Sequence, residues 1–290
     1  MDYRLDEKLL SALIRARHVL VLTGAGMSAE SGIPTFRDAQ TGLWAKYRPE
    51  ELATPEAFAA HPKRVWQWYQ ERRNRIREAR PHAGHVALVR MGRIFPRMTV
   101  VTQNVDGLHQ VAGSKNVIEL HGNINRSKCS VSHRPISRDW LADSDQEPPP
   151  SPYVKGALAR PDVVWFGEVL PQDALDSAMN AARGCDFCFS VGTTSLVHPA
   201  ASLPLLAKDH GAALVEVNPM QTPLSQQADQ CVRAPASESL AAIADQLDTA
   251  AGMDGTGYSQ YSFSRGRSEQ KIHVAESPAA GAPAGRAGPG

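Results

Sequence analysis

The chain has 290 residues, and its 31 basic and 30 acidic side chains leave a formal net charge of +1. This balance argues against a nucleic acid or an anionic membrane surface as partner. Hydrophobic residues make up 42% of the chain, enough for a substantial core, but no apolar run approaches the ~20 residues that span a bilayer. The first ten residues are charged, unlike a secretory signal, so we expect a cytoplasmic protein.

Apolar periodicity predicts the elements in the first half of the chain. Leu9, Leu10, Leu13 and Ile14 recur at helical spacing, and residues 19–23 form a strand-like run before the turn Gly24-Ala25-Gly26. Residues 33–62 are rich in Pro, Gly and Ala, which predicts a loop with short helical pieces. Further elements are expected as a helix at 64–80 and strands at 98–102 and 116–120.

In the second half of the chain, segments with clear hydrophobic periodicity flank one segment in which the periodicity is lost. Residues 123–161 contain three consecutive prolines and several serines, and we interpret them as an irregular insertion. Two strands are expected at residues 187–191 and 213–217, and two helices at residues 199–210 and 237–250. Beyond Gly252 the composition of Gly, Ser, Pro and Ala predicts a disordered tail.

Short strands separated by helices predict an α/β fold with a doubly wound parallel sheet, Rossmann-like in layout. Polar clusters follow the predicted strands at residues 23–28, 102–107, 192–195 and 218–219. Ligands of open α/β sheets bind at the carboxyl ends of the strands, so these clusters predict a nucleotide site. The spacing Gly24-x-Gly26-x-x-Ala29 also fits a loose dinucleotide pattern, although an ordinary strand–turn–helix explains the two glycines equally well.

The four cysteines do not form a clear metal or disulfide pattern. Without a secretory signal, a disulfide framework is not expected. Cys185-x-x-Cys188 lies inside a strand-like run, where cysteine is a common small buried residue. We therefore expect this pair to pack in the core.

Six motifs in this order resemble the sirtuin family of NAD-dependent protein deacylases. They are GAGMSAESGIPTFR (24–37), TQNVDGLH (102–109), ELHG (119–122), RPDVVWFGEVLP (160–171), VGTTSLVHPA (191–200) and EVNP (216–219). The resemblance spans residues 19 to about 247. It implies a catalytic domain over 1–252, a Rossmann-like large domain with small-domain insertions at about 38–80 and 123–160, and a tail over 253–290. The smaller inserted domain would combine a degenerate zinc module with a helical part.

The resemblance also implies which residues bind NAD. Glycines admit a phosphate group, amide side chains both donate and accept hydrogen bonds to ribose and nicotinamide, and an aromatic ring shields a reactive ribose from water. The implied residues are Gly24, Ala25, Gly26, Ser28, Phe36, Arg37, Gln103, Asn104, Asp106, Gly192, Thr193, Thr194, Asn218 and Ala236. For Ser28, Thr194 and Asn218 taken singly, a turn or cap role is a serious alternative.

The catalytic residues implied by the resemblance are His121, Asn104 and Asp106. The acyl-lysine oxygen would displace nicotinamide from its ribose. His121 would then act as a general base on a ribose hydroxyl, since a neutral imidazole accepts a proton near pH 7. The implied products are free lysine, nicotinamide and O-acyl-ADP-ribose.

Two further segments are implied to contact an acylated-lysine protein or peptide. Residues 164–168 resemble the segment that pairs with the substrate peptide, with Val164, Phe166 and Gly167 as its contacts, although the apolar Trp165 also suits a core position. Tyr69 and Arg72 share one helix face and match the Tyr-x-x-Arg pair of sirtuins that remove succinyl and malonyl groups. Thr35 fits the same subgroup. Without the resemblance, a solvated Arg72 and a partly buried Tyr69 would be favoured.

The sequence departs from the family at its structural zinc site. Two C-x-x-C pairs are expected there, but the four positions hold Cys129, Ser132, Ser151 and Val154, with His133 as an isolated neighbour. Valine cannot bind zinc and serine is a poor ligand. We therefore expect no bound zinc, and a small domain held by apolar packing or left mobile.

Three other functions are weighed against deacylation. An ADP-ribosyltransferase or NAD hydrolase would share the pocket and the first step. A non-catalytic NAD-binding interaction module would have lost catalysis together with the zinc site, although the retained His121 and Asn104 argue against it. A dehydrogenase is least favoured, because no acidic residue follows a second strand to bind the ribose. We expect a monomer.

Overall fold

The computed structural model describes residues 3–34, 47–250 and 252. Its helices are α1 (Glu7–Arg15), α2 (Ala25–Ala29), α3 (Pro49–Leu52), α4 (Pro55–Ala60), α5 (Pro62–Glu78), α6 (Ala83–Ile94), α7 (Leu108–Ala112), α8 (Arg138–Ala142), α9 (Gln172–Arg183), α10 (Leu203–Asp209) and α11 (Ala236–Ala250). Its strands are β1 (His18–Thr23), β2 (Arg97–Thr102), β3 (Val117–Glu119), β4 (Gly122–Cys129), β5 (Pro135–Ile136), β6 (Ala159–Val163), β7 (Phe187–Val191), β8 (Ala213–Val217) and β9 (Gln230–Val232). Within the described ranges, no helix is long and apolar enough to cross a membrane.

The large domain is built on a six-stranded parallel sheet with the order β3-β2-β1-β7-β8-β9. Strand β1 lies inside the sheet between β2 and β7, and all six of its residues are buried. A parallel sheet covered on both faces requires strands that are apolar at every position, which explains the unbroken run of β1. The predicted doubly wound α/β fold is confirmed.

Two hydrophobic clusters lie on opposite faces of this sheet. Val19 and Val21 of β1 point into one cluster with side chains of α1, α6 and α11, whereas Leu20 and Leu22 point into the other with α9 and α10. This division follows from the two-residue alternation of side chains along a strand. Cys185 and Cys188 are buried free thiols of the second cluster, so the predicted core role of this pair is confirmed.

The small domain contains a second sheet and a helical part. Its antiparallel strands have the order β5-β4-β6, and a separate apolar cluster joins them to α4 and α5. The predicted loss of pattern over residues 123–161 is wrong, because that range contains most of β4, all of β5 and α8, and the start of β6. Alternate positions of β4 and β6 carry charged side chains that pair with each other, such as Arg126 with Asp162 at 3.0 Å.

Other predicted elements agree with the structure to within a few residues. Strands β7 and β8 have the predicted bounds, and the helix expected at 64–80 is α5. The sequence patterns missed α6, α9 and β9. The predictions for Thr35, Phe36 and Arg37, and for the tail over 253–290, lie outside the described residues.

Candidate active site

The loops that follow β1 and β7 touch each other at the carboxyl end of the sheet. The Gly26 amide donates to the Gly192 carbonyl at 2.8 Å, and the Gly24 amide donates to the carbonyl of Val191 at 3.0 Å. A Cβ atom on Gly24 or Gly26 would lie within 2.9 Å of backbone atoms of Gly192 or Thr193. The glycines are therefore required for the contact between the two loops. This requirement adds to the predicted one, in which the glycines leave space for a phosphate.

Ser28, Asn104 and Asp106 form a hydrogen-bonded network beside this contact. The amide nitrogen of Asn104 donates to the Gly24 carbonyl and to the Ser28 hydroxyl, both at 2.9 Å. The Ser28 hydroxyl donates to Asp106 at 2.7 Å, and the other Asp106 oxygen accepts from the Leu108 amide at 2.8 Å. Burial raises the pKa of Asp106. Because both amide hydrogens of Asn104 are engaged, its amide oxygen remains as an acceptor for a ligand hydroxyl.

Gln103, Thr193 and Asn218 form a second network, on the β7 and β8 side of the site. The Gln103 amide donates to the Thr193 hydroxyl at 3.3 Å, and the Asn218 amide donates to the Thr193 carbonyl at 2.8 Å. Thr194 is half-buried in the same loop. The neighbouring Ser195 hydroxyl is buried with no hydrogen-bond partner among the described residues. A buried polar atom of this kind is usually satisfied by a ligand or water, so the loop fits a polar group from outside the chain.

The remaining residues predicted to bind the cofactor differ in where the structure places them. Ala25 begins α2 and is half-buried. The Ala236 methyl group lies in the first core cluster, and its carbonyl oxygen would be 2.7 Å from a Cβ atom on Gly84 of α6. Ala236 thus fixes the contact between α6 and α11. Phe36 and Arg37 lie outside the described residues.

His121 occupies the turn between the two sheets. Its Nδ1 lies 2.9 Å from the Gln103 carbonyl oxygen. Because a carbonyl only accepts, Nδ1 carries the proton and Nε2 of the neutral ring is the basic nitrogen. Burial lowers the pKa of His121 below its usual value, and the Gln103 bond reverses only part of this effect. Gly122 follows with φ +76, and a Cβ there would lie 2.2 Å from the Asp162 carbonyl oxygen, which explains the His-Gly pair.

The predicted substrate segment begins directly beside His121. The Val164 amide donates to the His121 carbonyl at 2.9 Å, and the Phe166 amide donates to the Ala53 carbonyl at the same distance. The Phe166 side chain is 46% exposed although it is large and apolar. Gly167 is exposed with φ +85. The segment thus links His121 to the helical part of the small domain and presents an apolar surface.

Tyr69 and Arg72 lie on α5 next to this segment. The Tyr69 hydroxyl accepts a hydrogen bond from the Trp165 indole nitrogen at 2.9 Å, although the two residues are 96 positions apart. The half-buried Arg72 guanidinium lies 5.0 Å from the ring centre of Trp68. Burial raises the pKa of Tyr69 to about 12 and lowers the pKa of Arg72. The structure therefore brings Tyr69 to the predicted substrate segment, with Arg72 three residues further along α5.

Arg160 and Glu168 brace the substrate segment, and no role was predicted for Arg160. The Arg160 guanidinium donates to both carboxylate oxygens of Glu168, at 2.5 and 2.9 Å, and to the Val163 carbonyl at 2.9 Å. Glu168 also accepts from the Trp165 amide at 2.8 Å. Arginine is rarely buried unless it is paired with an acidic residue. Arg160 and Glu168, eight residues apart at the two ends of an apolar segment, were the sequence signal from which this ion pair could have been predicted.

The four positions at which the resemblance implies zinc ligands lie in the small domain. The buried Cys129 sulfur accepts from the Val131 amide at 3.5 Å and from the Ser132 amide at 3.4 Å. Burial raises the pKa of Cys129, but hydrogen bonds from Ser132 and Ser151 outweigh it and lower the pKa to about 7. Val154 packs against the apolar cluster that contains Cys129. In the part of the chain that the structure describes, no three metal-binding side chains cluster.

The geometry defines a class of protein. Loops at the carboxyl ends of parallel strands bring amide, hydroxyl and carboxylate groups together, which is the arrangement of a dinucleotide-binding enzyme. The basic imidazole nitrogen and the substrate segment adjoin these loops.

Comparisons with known proteins assign this class to a family. The family model described as the Sir2 family matches residues 24–199. An NAD-dependent protein deacylase 1 from Archaeoglobus fulgidus is 46% identical over 236 residues, which cover 81% of this chain and 94% of that protein. An NAD-dependent protein deacylase from Ralstonia nicotianae is 50% identical over 230 residues, covering 79% and 91%. The chain belongs to the Sir2 family.

Solved structures of Sir2 homologues agree with this assignment. The crystal structure of a Sir2 homologue in complex with NAD has a TM-score of 0.78 and 44% sequence identity, covering 85% of this chain and 95% of that one. A Sir2 complex with a p53 peptide and NAD has a TM-score of 0.73 and 32% identity, covering 85% and 98%. The sirtuin resemblance inferred from the motifs is confirmed.

Proposed function

We propose that this chain is an NAD-dependent protein-lysine deacylase that prefers acyl groups with a distal carboxylate, succinyl and malonyl above acetyl. Family membership and the names of the relatives support the deacylase class. The acyl preference rests on one observation, which is the hydrogen bond between Tyr69 of α5 and Trp165 of the substrate segment. This bond brings the Tyr69 hydroxyl to the segment whose Val164 amide contacts His121. Arg72 lies one helical turn further along α5.

His121 is the general base in this proposal. NAD, when bound, supplies the ribose that accepts the acyl group and the bond from which nicotinamide is released. The Gln103 carbonyl fixes the proton on Nδ1, so Nε2 is free to take a proton from a ribose hydroxyl. The lowered pKa keeps the ring neutral near pH 7, which is the form that a base requires.

Gln103, Asn104 and Asp106 would hold the cofactor ribose and nicotinamide amide, and Ser28 and the glycine loop would lie around the pyrophosphate. The mutual hydrogen bonds of Ser28, Asn104 and Asp106 fix each rotamer before a ligand arrives. Fixed polar groups in a buried site stabilise developing charge without reorganising, which is a major source of enzymatic rate. Thr193, Thr194, Ser195 and Asn218 would contact the adenosine side.

Arg72 and Tyr69 would bind the distal carboxylate of the acyl group. A guanidinium fork matches the two oxygens of a carboxylate, and a phenol hydroxyl adds a neutral donor. Because the Arg72 guanidinium is half-buried, an ion pair with the substrate would be screened less than one at the surface. An acetyl group offers no carboxylate and would gain nothing from either side chain.

The small domain is proposed to fold without zinc. A buried apolar cluster takes the place that the metal has in the family, and it contains Trp66, Cys129, Ile136, Ala157 and Ala159. Side-chain hydrogen bonds tie its loops together, since the Trp140 indole donates to the Pro150 carbonyl at 2.8 Å and the Tyr153 hydroxyl donates to the Pro135 carbonyl at 2.6 Å.

The acyl preference is tested with acetyl-, malonyl- and succinyl-lysine peptides of one sequence, incubated with NAD and followed by mass spectrometry. We expect kcat/KM to be highest for the succinyl or malonyl peptide. In Arg72→Met this kcat/KM should fall about 10- to 100-fold, the size of a lost charge-assisted contact, while deacetylation changes little.

Arg77→Met is the matched control, because Arg77 is an exposed arginine on the same helix that donates to Asn74. It should leave all three rates unchanged. Equal losses on acetyl and succinyl peptides in Arg72→Met would contradict carboxylate binding. O-acyl-ADP-ribose formed only with acylated peptide would separate a deacylase from an ADP-ribosyltransferase or NAD hydrolase.

A further inference from the structure

Trp165 is a buried indole in the middle of the exposed substrate segment. Only 3% of the residue is exposed, whereas its neighbour Phe166 is 46% exposed. The ring lies 5.3 Å from that of Phe58 on α4 and 6.4 Å from that of Tyr69 on α5. The indole is therefore part of the packing between the substrate segment and the helical part of the small domain.

The indole is held in one orientation from several sides. The Arg160 guanidinium carbon lies 3.3 Å from the centre of the ring, and Glu168 accepts from the Trp165 backbone amide at 2.8 Å. Arg160 and Glu168 are themselves joined by two hydrogen bonds. A ring fixed in this way presents its N–H group in one direction, which is toward the Tyr69 hydroxyl at 2.9 Å.

The polarity of this hydrogen bond determines what Tyr69 does with its own hydrogen. An indole nitrogen is only a donor, so the phenol oxygen must be the acceptor. Burial raises the pKa of Tyr69 to about 12, and the phenol stays protonated at neutral pH. The hydroxyl hydrogen is then directed away from Trp165, toward a second partner that the described residues do not supply.

We propose that Trp165 is a positioning residue for acyl selectivity, which turns the Tyr69 hydroxyl hydrogen toward the distal carboxylate of a succinyl or malonyl group. This inference rests on the proposed acidic-acyl function and deepens it. Without the Trp165 bond, the Tyr69 hydroxyl could turn the other way, with its hydrogen toward the substrate segment and its lone pairs toward the carboxylate. The bond from the indole N–H excludes this second orientation. A carboxylate repels lone pairs and accepts hydrogens, so orientation of the hydroxyl affects acidic acyl groups far more than acetyl.

The test uses Trp165→Phe, Tyr69→Phe and the double variant, assayed on succinyl and acetyl peptides of the same sequence. We expect each single variant to lower the ratio of succinyl to acetyl kcat/KM about tenfold, mainly through KM for the succinyl peptide. In the double variant the ratio should fall no further than in Tyr69→Phe, because Trp165 acts only through that hydroxyl. The acetyl rate of each variant serves as the reference for any general damage to the segment.

Phe58→Leu is the matched control for packing. It alters the contact with the indole ring but keeps the Trp165 N–H group, so the ratio should stay at the wild-type value. A ratio that falls equally in Phe58→Leu would overturn the inference, because packing would then explain the effect. An unchanged ratio in Trp165→Phe, or losses that add in the double variant, would also overturn it.

The inference and the proposed function fail in different ways. If wild type shows no preference for acidic acyl groups and Arg72→Met leaves the ratio unchanged, both are overturned. If wild type prefers succinyl and both Arg72→Met and Tyr69→Phe lower the ratio, but Trp165→Phe does not, only the role of Trp165 is overturned.

Discussion

The carboxyl edge of the large sheet and the small domain around Cys129 are stabilised in different ways. At the sheet edge, polar side chains satisfy one another, as in the chain from Asn104 through Ser28 to Asp106. Around Cys129, apolar side chains pack against one another, and the partly buried Val154 packs against them. A polar network specifies geometry at the ångström scale, while apolar packing supplies stability with less geometric demand. We therefore expect catalysis to depend on the first region and stability on the second.

The largest expected effect is the loss of the base at the sheet edge. His121→Asn should lower deacylation kcat/KM about 100- to 10,000-fold, the usual contribution of a general base. NAD binding, measured by titration calorimetry, should remain, because the Ser28 network does not include the imidazole and the Thr193 network meets it only at the Gln103 backbone carbonyl. His133→Asn, which changes an exposed histidine of the small domain, should retain full activity. Residual deacylation above one tenth of wild type in His121→Asn would contradict the assignment.

The pH dependence of the wild type gives an independent check on the same base. The neutral form of His121 is active, so activity falls as pH decreases through its pKa. Burial lowers that pKa from 6.5. The acid limb of the kcat/KM profile should therefore have its midpoint below pH 6.5, and it should disappear from the residual activity of His121→Asn. A midpoint above pH 7 would indicate another group.

The second largest effect is expected in the small domain, and it should change stability. Ile136 is 6% exposed and lies in the cluster with Cys129. Ile136→Ala should lower the free energy of unfolding by about 2–4 kcal/mol, the usual cost of such a truncation. Urea denaturation followed by tryptophan fluorescence measures it, with kcat/KM for deacylation retained in the folded protein. Val131→Ala removes an exposed side chain from the same domain and should change stability by less than about 0.5 kcal/mol.

The two regions also differ in how far the sequence predicts them. Strands β7 and β8 are apolar at every position except Ser190 and Glu216 because both faces are covered, and their bounds could be predicted to the residue. In strand β4 the buried positions include Asn123, Ser127 and Cys129, while Arg126 and Lys128 are the more exposed ones. Because the buried side chains are themselves polar or small, hydropathy shows little alternation along this strand.

Helix α9 was missed because its buried and exposed positions also differ little in hydropathy. Its buried positions are alanines, Ala178, Ala181 and Ala182, which have little hydrophobic contrast with exposed residues.

At the site, strand-end clusters indicate which residues meet, but they cannot show that Gly26 is required for contact with Gly192. The Tyr69–Trp165 bond joins positions 96 apart, and only the folded arrangement of α5 and the substrate segment reveals it.

The smallest expected effect concerns metal removal and tests the apolar region directly. Incubation with a chelator should leave the melting temperature of the wild type unchanged, because Cys129 is the only cysteine among the four positions and Val154 offers no ligand atom. Metal analysis that finds about one zinc per chain would contradict this expectation.

The triple substitution Ser132→Cys, Ser151→Cys and Val154→Cys rebuilds four cysteines in one module. That variant should gain bound zinc and become sensitive to the chelator, since structural zinc binding adds directly to folding free energy. If the chelator lowered the melting temperature of the wild type as much as that of the rebuilt variant, apolar packing would not be the reason for the stability of the small domain.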